Sequence, residues 1–295
     1  MKLVSFETSI PGKWILAGEH SVLRGSPALV FPLLSRRLQL SYQPSDTVPL
    51  KLELEGEHGP ELHVLFWSVL EKACEMCRIR HQEFTGTLRI SSQIPIGAGL
   101  GASAALCVAI GKWFHAMDLV PAEEIYDFAR SLENLFHGES SGVDIAVALS
   151  QQGLRFTRAG ERKALSSQWQ PRWYVSYSGK RGVTLECVNK VKALISTHPE
   201  LGRQIDRDMQ RAVEIAEEAL ALPEERGLPL MKKSMDLAKS CFDRWGLTLD
   251  SHVQWLFQQG ALAVKPTGSG DGGYVLSLWR TSPASEVREQ LISCD

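Results

Sequence analysis

Pro95-Ile-Gly-Ala-Gly-Leu-Gly-Ala-Ser-Ala-Ala105 places three glycines within five residues, after a strand pattern at Thr85–Ser91 and before a helix pattern at Ala102–Met117. Closely spaced glycines let the backbone turn tightly and bring its N–H groups near a ligand. A helix that begins at the last glycine adds unpaired N–H donors and the positive end of its dipole. The stretch therefore predicts a strand, an anion-binding loop suited to phosphate, and a helix. A plain turn before a buried helix is the alternative.

Two familiar nucleotide-binding motifs do not match this loop. A Walker P-loop requires Gly-Lys-Ser or Gly-Lys-Thr, and neither tripeptide occurs in the chain. A dinucleotide fingerprint has the spacing Gly-x-Gly-x-x-Gly, whereas the spacing here is Gly-x-Gly-x-Gly. If the loop holds a phosphate, it does so in another fold.

Composition excludes several classes of protein. The 295 residues suffice for one large domain or two ordinary ones, and 44% hydrophobic with 22% charged residues is typical of a globular protein. A net charge of −2 without a basic block argues against a nucleic-acid partner. The most apolar helix pattern, near Ser103–Phe114, contains Lys112 and is too short to cross a bilayer. With no apolar leader at Met1, we expect no membrane partner and a cytoplasmic protein.

The order of the patterns predicts the class α+β, because strands dominate first and helices later, before strands return. We expect turns at Pro11-Gly12 and at Pro44-Ser-Asp, and a helix from Pro121 to Phe136. After Gly142 the pattern is less decisive until a strand at Trp173–Ser178. Further helices are predicted at 184–196, 200–221, 228–243 and 249–259.

Three other segments carry residues suited to chemistry. Lys13 follows a Pro-Gly pair, and Glu19 and His20 come soon after it. Glu133 lies near a predicted helix end and Asp144 just past a Gly/Ser turn. Two carboxylates so arranged suit one Mg²⁺ ion and one base. A second glycine cluster follows Lys265 near the end of the chain.

Taken together, these segments resemble the GHMP kinases, and the resemblance covers nearly the whole chain. The three motifs of that family occur in order at Pro11–Glu19, Pro95–Ala105 and Thr267–Gly273. The middle one, Pro-x3-Gly-Leu-Gly-x-Ser-Ala-Ala, is highly specific. Residues 18–29 and 137–144 are most similar to the mevalonate kinases of the family.

The resemblance implies a fold of two α+β domains. Residues 1–165 would form the ATP-binding domain, which is shared with part of a ribosomal protein, and residues 166–295 a ferredoxin-like domain. ATP and the acceptor would meet in the cleft between them. The sequence leaves the oligomeric state open, with a homodimer among the candidates.

The resemblance also implies a role for each matching residue. Asp144 would be the general base, and Lys13 would stabilise the developing alkoxide and keep Asp144 ionised. Ser103 and Glu133 would hold Mg²⁺. The ATP phosphates would be bound by Pro95, Gly97, Ala98, Gly99, Leu100, Gly101, Ala102 and Ser103. The acceptor would contact Lys13, Glu19, His20, Asp144, Thr184, Gly268 and Ser269.

Five positions depart from the family pattern. Ala102 stands where many members have Ser, so only Ser103 of that pair can bind metal. Glu139-Ser140 replaces the usual Asn-Pro. Ser269 and Asp271 stand where small residues are common. The carboxylate of Asp271 could point outward, contact Lys265, or contact an acceptor hydroxyl.

The expected reaction is phosphorylation of the 5-hydroxyl of (R)-mevalonate by ATP. A phosphomevalonate kinase, or another small-molecule kinase of the family, is the nearest alternative, because Arg24, Arg36 and Arg37 could serve a phosphorylated acceptor. His20 and the pattern from His137 favour mevalonate. A third hypothesis is a catalytically silent sensor, and such a protein is expected to lack a catalytic group.

Overall fold

The computed structural model describes residues 2–56, 59–97, 99–137, 140–248 and 250–295. Its strands are β1 (Phe6–Ala17), β2 (Ala28–Pro49), β3 (Lys51–Glu55), β4 (Thr85–Ser92), β5 (Leu154–Phe156), β6 (Arg162–Ala164), β7 (Arg172–Tyr177), β8 (Ala263–Pro266), β9 (Tyr274–Trp279) and β10 (Ile292–Ser293). Its α-helices are α1 (Gly59–Cys77), α2 (Ala102–Ala116), α3 (Ile125–His137), α4 (Val143–Ser150), α5 (Thr184–Thr197), α6 (Pro199–Leu220), α7 (Glu224–Trp245), α8 (Asp250–Gln258) and α9 (Ser285–Arg288).

The chain forms two compact units, each built from segments that alternate along the sequence. The first unit contains Met1–Gly12, Arg36–Ile96 and Gly101–Gln151. The second contains Lys13–Ser35, Gly97–Leu100 and Gln152–Asp295. Strands β1 and β2 therefore contribute residues to both. The expected division into domains 1–165 and 166–295 stays a prediction.

In the first unit, a sheet in the order β3, β4, β2 is covered by helices. Strand β4 pairs antiparallel with β2, where Leu88 lies opposite Tyr42, and parallel with β3, where Leu88 lies opposite Leu52. The ring of Tyr42 packs 5.0 Å from that of Trp113 on α2. Helices α1, α3 and α4 pack around α2. Because α2 contacts neighbours on several sides, nearly all of its side chains are apolar and buried, as expected for a central helix.

In the second unit, a four-stranded sheet has the order β10, β7, β9, β8. All neighbours pair antiparallel, and Val175 of β7 lies opposite Leu276 of β9. Residues Val253 and Leu256 of α8 pack into the same apolar core as Val264 and Val275 of the sheet. Helices α6 and α7 pack against each other, and α7 contacts β8. The third predicted motif, Thr267–Gly273, is the connection between β8 and β9 of this sheet.

Both predicted turns near the start of the chain are wrong. Strand β1 continues through Pro11 and Gly12, and β2 continues through Pro44 to Pro49. Among the described strands β1 pairs with β2 alone, and an outer strand tolerates the missing N–H of Pro11. In β2 the pairing with β4 shifts register between Pro44 and Pro49, so an irregularity within the strand replaces the expected turn.

The predictions around the glycine-rich stretch are confirmed. The strand expected at Thr85–Ser91 is β4, and the helix expected at Ala102–Met117 is α2. Helix α4 was missed, since it follows Gly142, where the sequence pattern becomes indecisive. None of the described helices combines the length and the apolar composition that a membrane span requires.

Candidate active site

The glycine-rich loop turns through left-handed backbone, as its sequence predicts. Gly97, Gly99 and Gly101 have φ angles of 69°, 81° and 80°. Glycine adopts these angles without steric cost. Gly101 is the N-cap residue of α2, so the unpaired N–H groups of the first helical turn follow the loop directly. Ala98, which we also expect at the phosphates, lies outside the described residues.

Within the second unit, the loop lies against residues of the first and third motifs. The backbone N–H of Lys13 donates a 2.9 Å hydrogen bond to the carbonyl of Leu100. The hydroxyl of Thr267 accepts from the N–H of Ile15 at 2.9 Å and donates to its carbonyl at 3.0 Å. A Cβ built on Gly268 would lie 3.4 Å from the carbonyl oxygen of Gly99. Parts of all three motifs therefore meet in one compact unit.

A buried ion pair connects the first and third motifs. Nζ of Lys265 lies 2.5 Å from Oε1 of Glu19 and donates to the carbonyl of Ile15 at 3.3 Å. Lys265 is 0% exposed and Glu19 is 2% exposed. Burial raises the pKa of Glu19 and lowers the pKa of Lys265, and the opposite charge of each partner partly offsets that effect. Among the described residues, Oε2 of Glu19 has no hydrogen-bond partner.

Three of the residues predicted to bind the acceptor lie together. Nε2 of His20 donates to the backbone carbonyl of Ser269 at 2.9 Å. The hydroxyl of Thr184 lies 3.4 Å from that of Ser269. The His20 ring packs edge-on against the ring of Trp245, 5.0 Å away. Because Nε2 donates to a carbonyl, the neutral ring keeps Nδ1 as its acceptor.

Acid is expected to destabilise the fold through His20. Burial lowers the pKa of His20 to about 4 from an ordinary value of 6.5. Between those values the unfolded chain binds a proton that the folded chain does not, so the free energy of unfolding falls as the pH falls. In urea titrations, the wild type should lose about 2 kcal/mol more than His20→Gln between pH 7 and pH 5. Equal losses in the two proteins would contradict this role.

The carboxylate of Asp271 has a partner that the sequence did not suggest. Asp271 has a left-handed backbone with a φ angle of 53°. Its carboxylate pairs with Nζ of Lys180 at 2.6 Å, and both side chains are exposed. The negative charge in the second glycine loop is therefore balanced by a lysine within the same unit.

In the first unit, Ser140 connects Glu133 to the turn that precedes α4. Glu133 lies on α3, and its buried carboxylate accepts a hydrogen bond from the Ser140 hydroxyl. The same hydroxyl accepts from the N–H of Gly142 at 3.0 Å. Asp144 lies in the first turn of α4, directly after that turn. The departure from the family pattern at Ser140 thus supplies a link between the carboxylate of Glu133 and the backbone turn before α4.

Ser103 shares a face of α2 with Cys107, whose thiol lies near the carboxylate of Glu133. Burial raises the pKa of Cys107, and the nearby carboxylate of Glu133 raises it further. Ser103 precedes Cys107 by one helical turn, and residues four apart share a face of a helix. A hydroxyl on α2 and a carboxylate on α3 match the hard oxygen ligands of Mg²⁺.

Sequence reasoning missed the structural importance of Lys265 and Ser140. Both residues lie in recognisable motifs, but the sequence did not show which side chains they contact. Lys265 and Glu19, for example, lie 246 residues apart. The acceptor pattern that begins at His137 includes Gly138 and Glu139, which lie outside the described residues.

Comparison with known proteins identifies the family. A family model described as the GHMP kinases N terminal domain matches residues 65–152. A mevalonate kinase of Pyrococcus abyssi is 31% identical over 92% of this chain and 87% of that protein. A mevalonate kinase of Pyrococcus horikoshii has the same identity and the same coverage, 31% over 92% and 87%. The chain belongs to the GHMP kinase family. Its relatives at this identity are mevalonate kinases, so it is a kinase, and the family implies ATP as the phosphoryl donor.

Solved structures confirm the predicted α+β fold of the family. The mevalonate kinase of L. major in complex with R-mevalonate has a TM-score of 0.79 and 22% identity, and covers 97% of this chain and 89% of that chain. The mevalonate kinase of Methanococcus jannaschii has a TM-score of 0.74 and 20% identity, with coverages of 95% and 92%.

Proposed function

We propose that this protein transfers the γ-phosphoryl group of ATP to the 5-hydroxyl of (R)-mevalonate and releases ADP and 5-phosphomevalonate. The observation that carries the proposal is the 31% identity to relatives named mevalonate kinase over 92% of the chain. Such coverage extends far beyond the glycine-rich loop. A kinase that shared only its nucleotide loop with these relatives would match over a shorter span.

On the acceptor side, we assign binding to the group formed by His20, Thr184 and Ser269. Support comes from their mutual distances, 2.9 Å from His20 to Ser269 and 3.4 Å from Thr184 to Ser269. A neutral histidine, whose Nδ1 can accept a hydrogen bond, and a hydroxyl suit a substrate that carries hydroxyl groups. Gly268 would contact the transferred phosphate. Glu19 stays a predicted contact through Oε2, because Oε1 is taken by Lys265.

On the donor side, we assign the ATP phosphates to the loop from Pro95 to Ser103, and Mg²⁺ to Ser103 and Glu133. A hydroxyl and one carboxylate fit this ion, which binds few protein ligands and keeps waters and phosphate oxygens as the others. When bound, Mg²⁺ neutralises charge on the β- and γ-phosphates. The hydrogen bond from Ser140 fixes the orientation of the Glu133 carboxylate for this role.

The transfer itself needs one proton acceptor and one cation close to the acceptor hydroxyl. Asp144 takes the proton from the 5-hydroxyl, the oxygen bonds to the γ-phosphorus, and the bond to the β-phosphate oxygen breaks. Lys13 stabilises the charge on the attacking oxygen. Since phosphoryl transfer requires little covalent help from protein, these residues act by position and charge.

The identity of the acceptor is tested by measuring ADP release with each candidate substrate in turn. With ATP and Mg²⁺, the purified protein is expected to release ADP when (R)-mevalonate is supplied, and mass spectrometry should find 5-phosphomevalonate. A reaction without acceptor gives the background. Release only with 5-phosphomevalonate would replace the proposal by phosphomevalonate kinase. Nucleotide binding without release from either acceptor would favour a sensor. The cytoplasmic location and the homodimer stay predictions.

A further inference from the structure

Arg181 belongs to a short segment that lies along the second glycine loop, within the second unit. This segment, residues 178–182, belongs to the connection between β7 and α5. The N–H of Ser178 donates to the carbonyl of Gly273 at 2.9 Å, and the N–H of Gly273 donates to the carbonyl of Lys180 at 2.7 Å. A Cβ on Gly182 would lie 3.1 Å from the carbonyl oxygen of Gly270. Backbone contacts therefore fix the position of Arg181 against this loop.

The side chain of Arg181 extends to the other glycine loop. A Cβ built on Gly97 would lie 2.8 Å from Nη2 of Arg181 and 3.2 Å from its Cζ. The guanidinium group thus fills the space that a side chain at position 97 would need. Arg181 is held by the second glycine loop through its backbone and contacts the first through its head group.

Within the described parts of the chain, no ion pair balances the positive charge of Arg181. Among the residues that the structure describes, Arg181 forms neither an ion pair nor a side-chain hydrogen bond, whereas the adjacent Lys180 is paired with Asp271 at 2.6 Å. The side chain of Arg181 is exposed, so its donors can reach a bound anion. A guanidinium group has five donors in a planar fork that matches the oxygens of phosphate.

We propose that Arg181 binds phosphate oxygens of the nucleotide held by the glycine-rich loop at Gly97. The proposal deepens the proposed function and rests on its assignment of that loop to ATP. The backbone N–H groups of the loop and the guanidinium group bind the phosphates from different directions. The second glycine loop, through residues 178–182, then takes part in nucleotide binding as well as in binding of the acceptor.

Calorimetry with a non-hydrolysable ATP analogue and Mg²⁺, without acceptor, tests this role. Arg181→Met is expected to weaken binding by about 10- to 100-fold, the range for loss of charge-assisted hydrogen bonds. Arg181→Lys should recover part of the loss, since lysine keeps the charge but not the fork. Arg226→Met removes an exposed arginine of α7 and should leave binding unchanged. The urea midpoint of Arg181→Met should equal that of the wild type, because the side chain is exposed.

Nucleotide affinity that is unchanged in Arg181→Met would overturn the proposal. So would a rise in the KM for mevalonate at unchanged nucleotide affinity, because the guanidinium group would then bind the carboxylate of the acceptor. Failure of the proposed function is seen separately: the wild type would bind the ATP analogue but release no ADP with (R)-mevalonate.

Discussion

Asp144→Asn is expected to lower kcat by about 10²- to 10⁴-fold, the usual contribution of a general base. Asparagine has nearly the same shape as aspartate but cannot accept the proton of the acceptor hydroxyl at neutral pH. Asp144 lies in the first turn of α4, after the turn that Ser140 holds through Gly142. The substitution keeps this backbone, so the dissociation constant for an ATP analogue should remain within about twofold of that of the wild type.

Asp127→Asn is the matched control for this experiment. Asp127 is an exposed carboxylate in the first turn of α3, also in the first unit. Its replacement removes the same charge from a similar helical position and should leave kcat unchanged. Turnover in Asp144→Asn that equals that of the control would remove Asp144 from the mechanism. Loss of nucleotide affinity in parallel with kcat would instead assign Asp144 to ground-state binding.

Lys265→Met is expected to lower the free energy of unfolding by about 3–5 kcal/mol, because it leaves the buried carboxylate of Glu19 without its counter-charge. Nζ of Lys265 also donates to Ile15 and lies 5.3 Å from the centre of the Phe242 ring. Methionine fills much of the same space as lysine. The decrease in the free energy of unfolding therefore reflects the lost charge more than lost packing. Urea titration at pH 7 measures it.

Two comparisons separate the ion pair from a general effect of losing a lysine. Lys180→Met breaks the exposed pair with Asp271 and should cost less than about 1 kcal/mol. The double variant Lys265→Met/Glu19→Gln removes both charges and should be more stable than Lys265→Met alone. Burial raises the pKa of Glu19, so the folded single variant binds a proton more readily than the unfolded chain, and its deficit should shrink as the pH falls. A deficit equal to that of Lys180→Met would contradict the prediction.

The local features of the site were predictable because they depend on neighbouring residues. The loop with Gly97, Gly99 and Gly101 and the helix that follows need only the steric freedom of glycine and an apolar pattern. The predictions of turns at Pro11 and Pro44 were wrong because strand pairing with distant residues decides the structure there. Pairing within the sheet and an irregularity in β2 accommodated residues whose local preference is for turns.

Contacts between distant parts of the chain were not predictable from one sequence. The pair of Lys265 with Glu19 and the contact of Arg181 with Gly97 each join segments that no local pattern relates. The sequence marked Asp271 as unusual but could not show Lys180 as its partner. Family resemblance named the residues of the site, whereas the geometry adds the residues that hold some of them in place.

The hydrogen bonds of Thr267 to both backbone groups of Ile15 affect the order in which a growing chain can fold. The second unit joins Lys13–Ser35 to Gln152–Asp295, so its first segment leaves the ribosome long before its partners are made. Until Thr267 has been synthesised, Ile15 must satisfy its N–H and carbonyl with water or with other chain. The hydrogen bonds between Thr267 and Ile15 therefore form only near the end of translation, and a chain that stops before β8 lacks them.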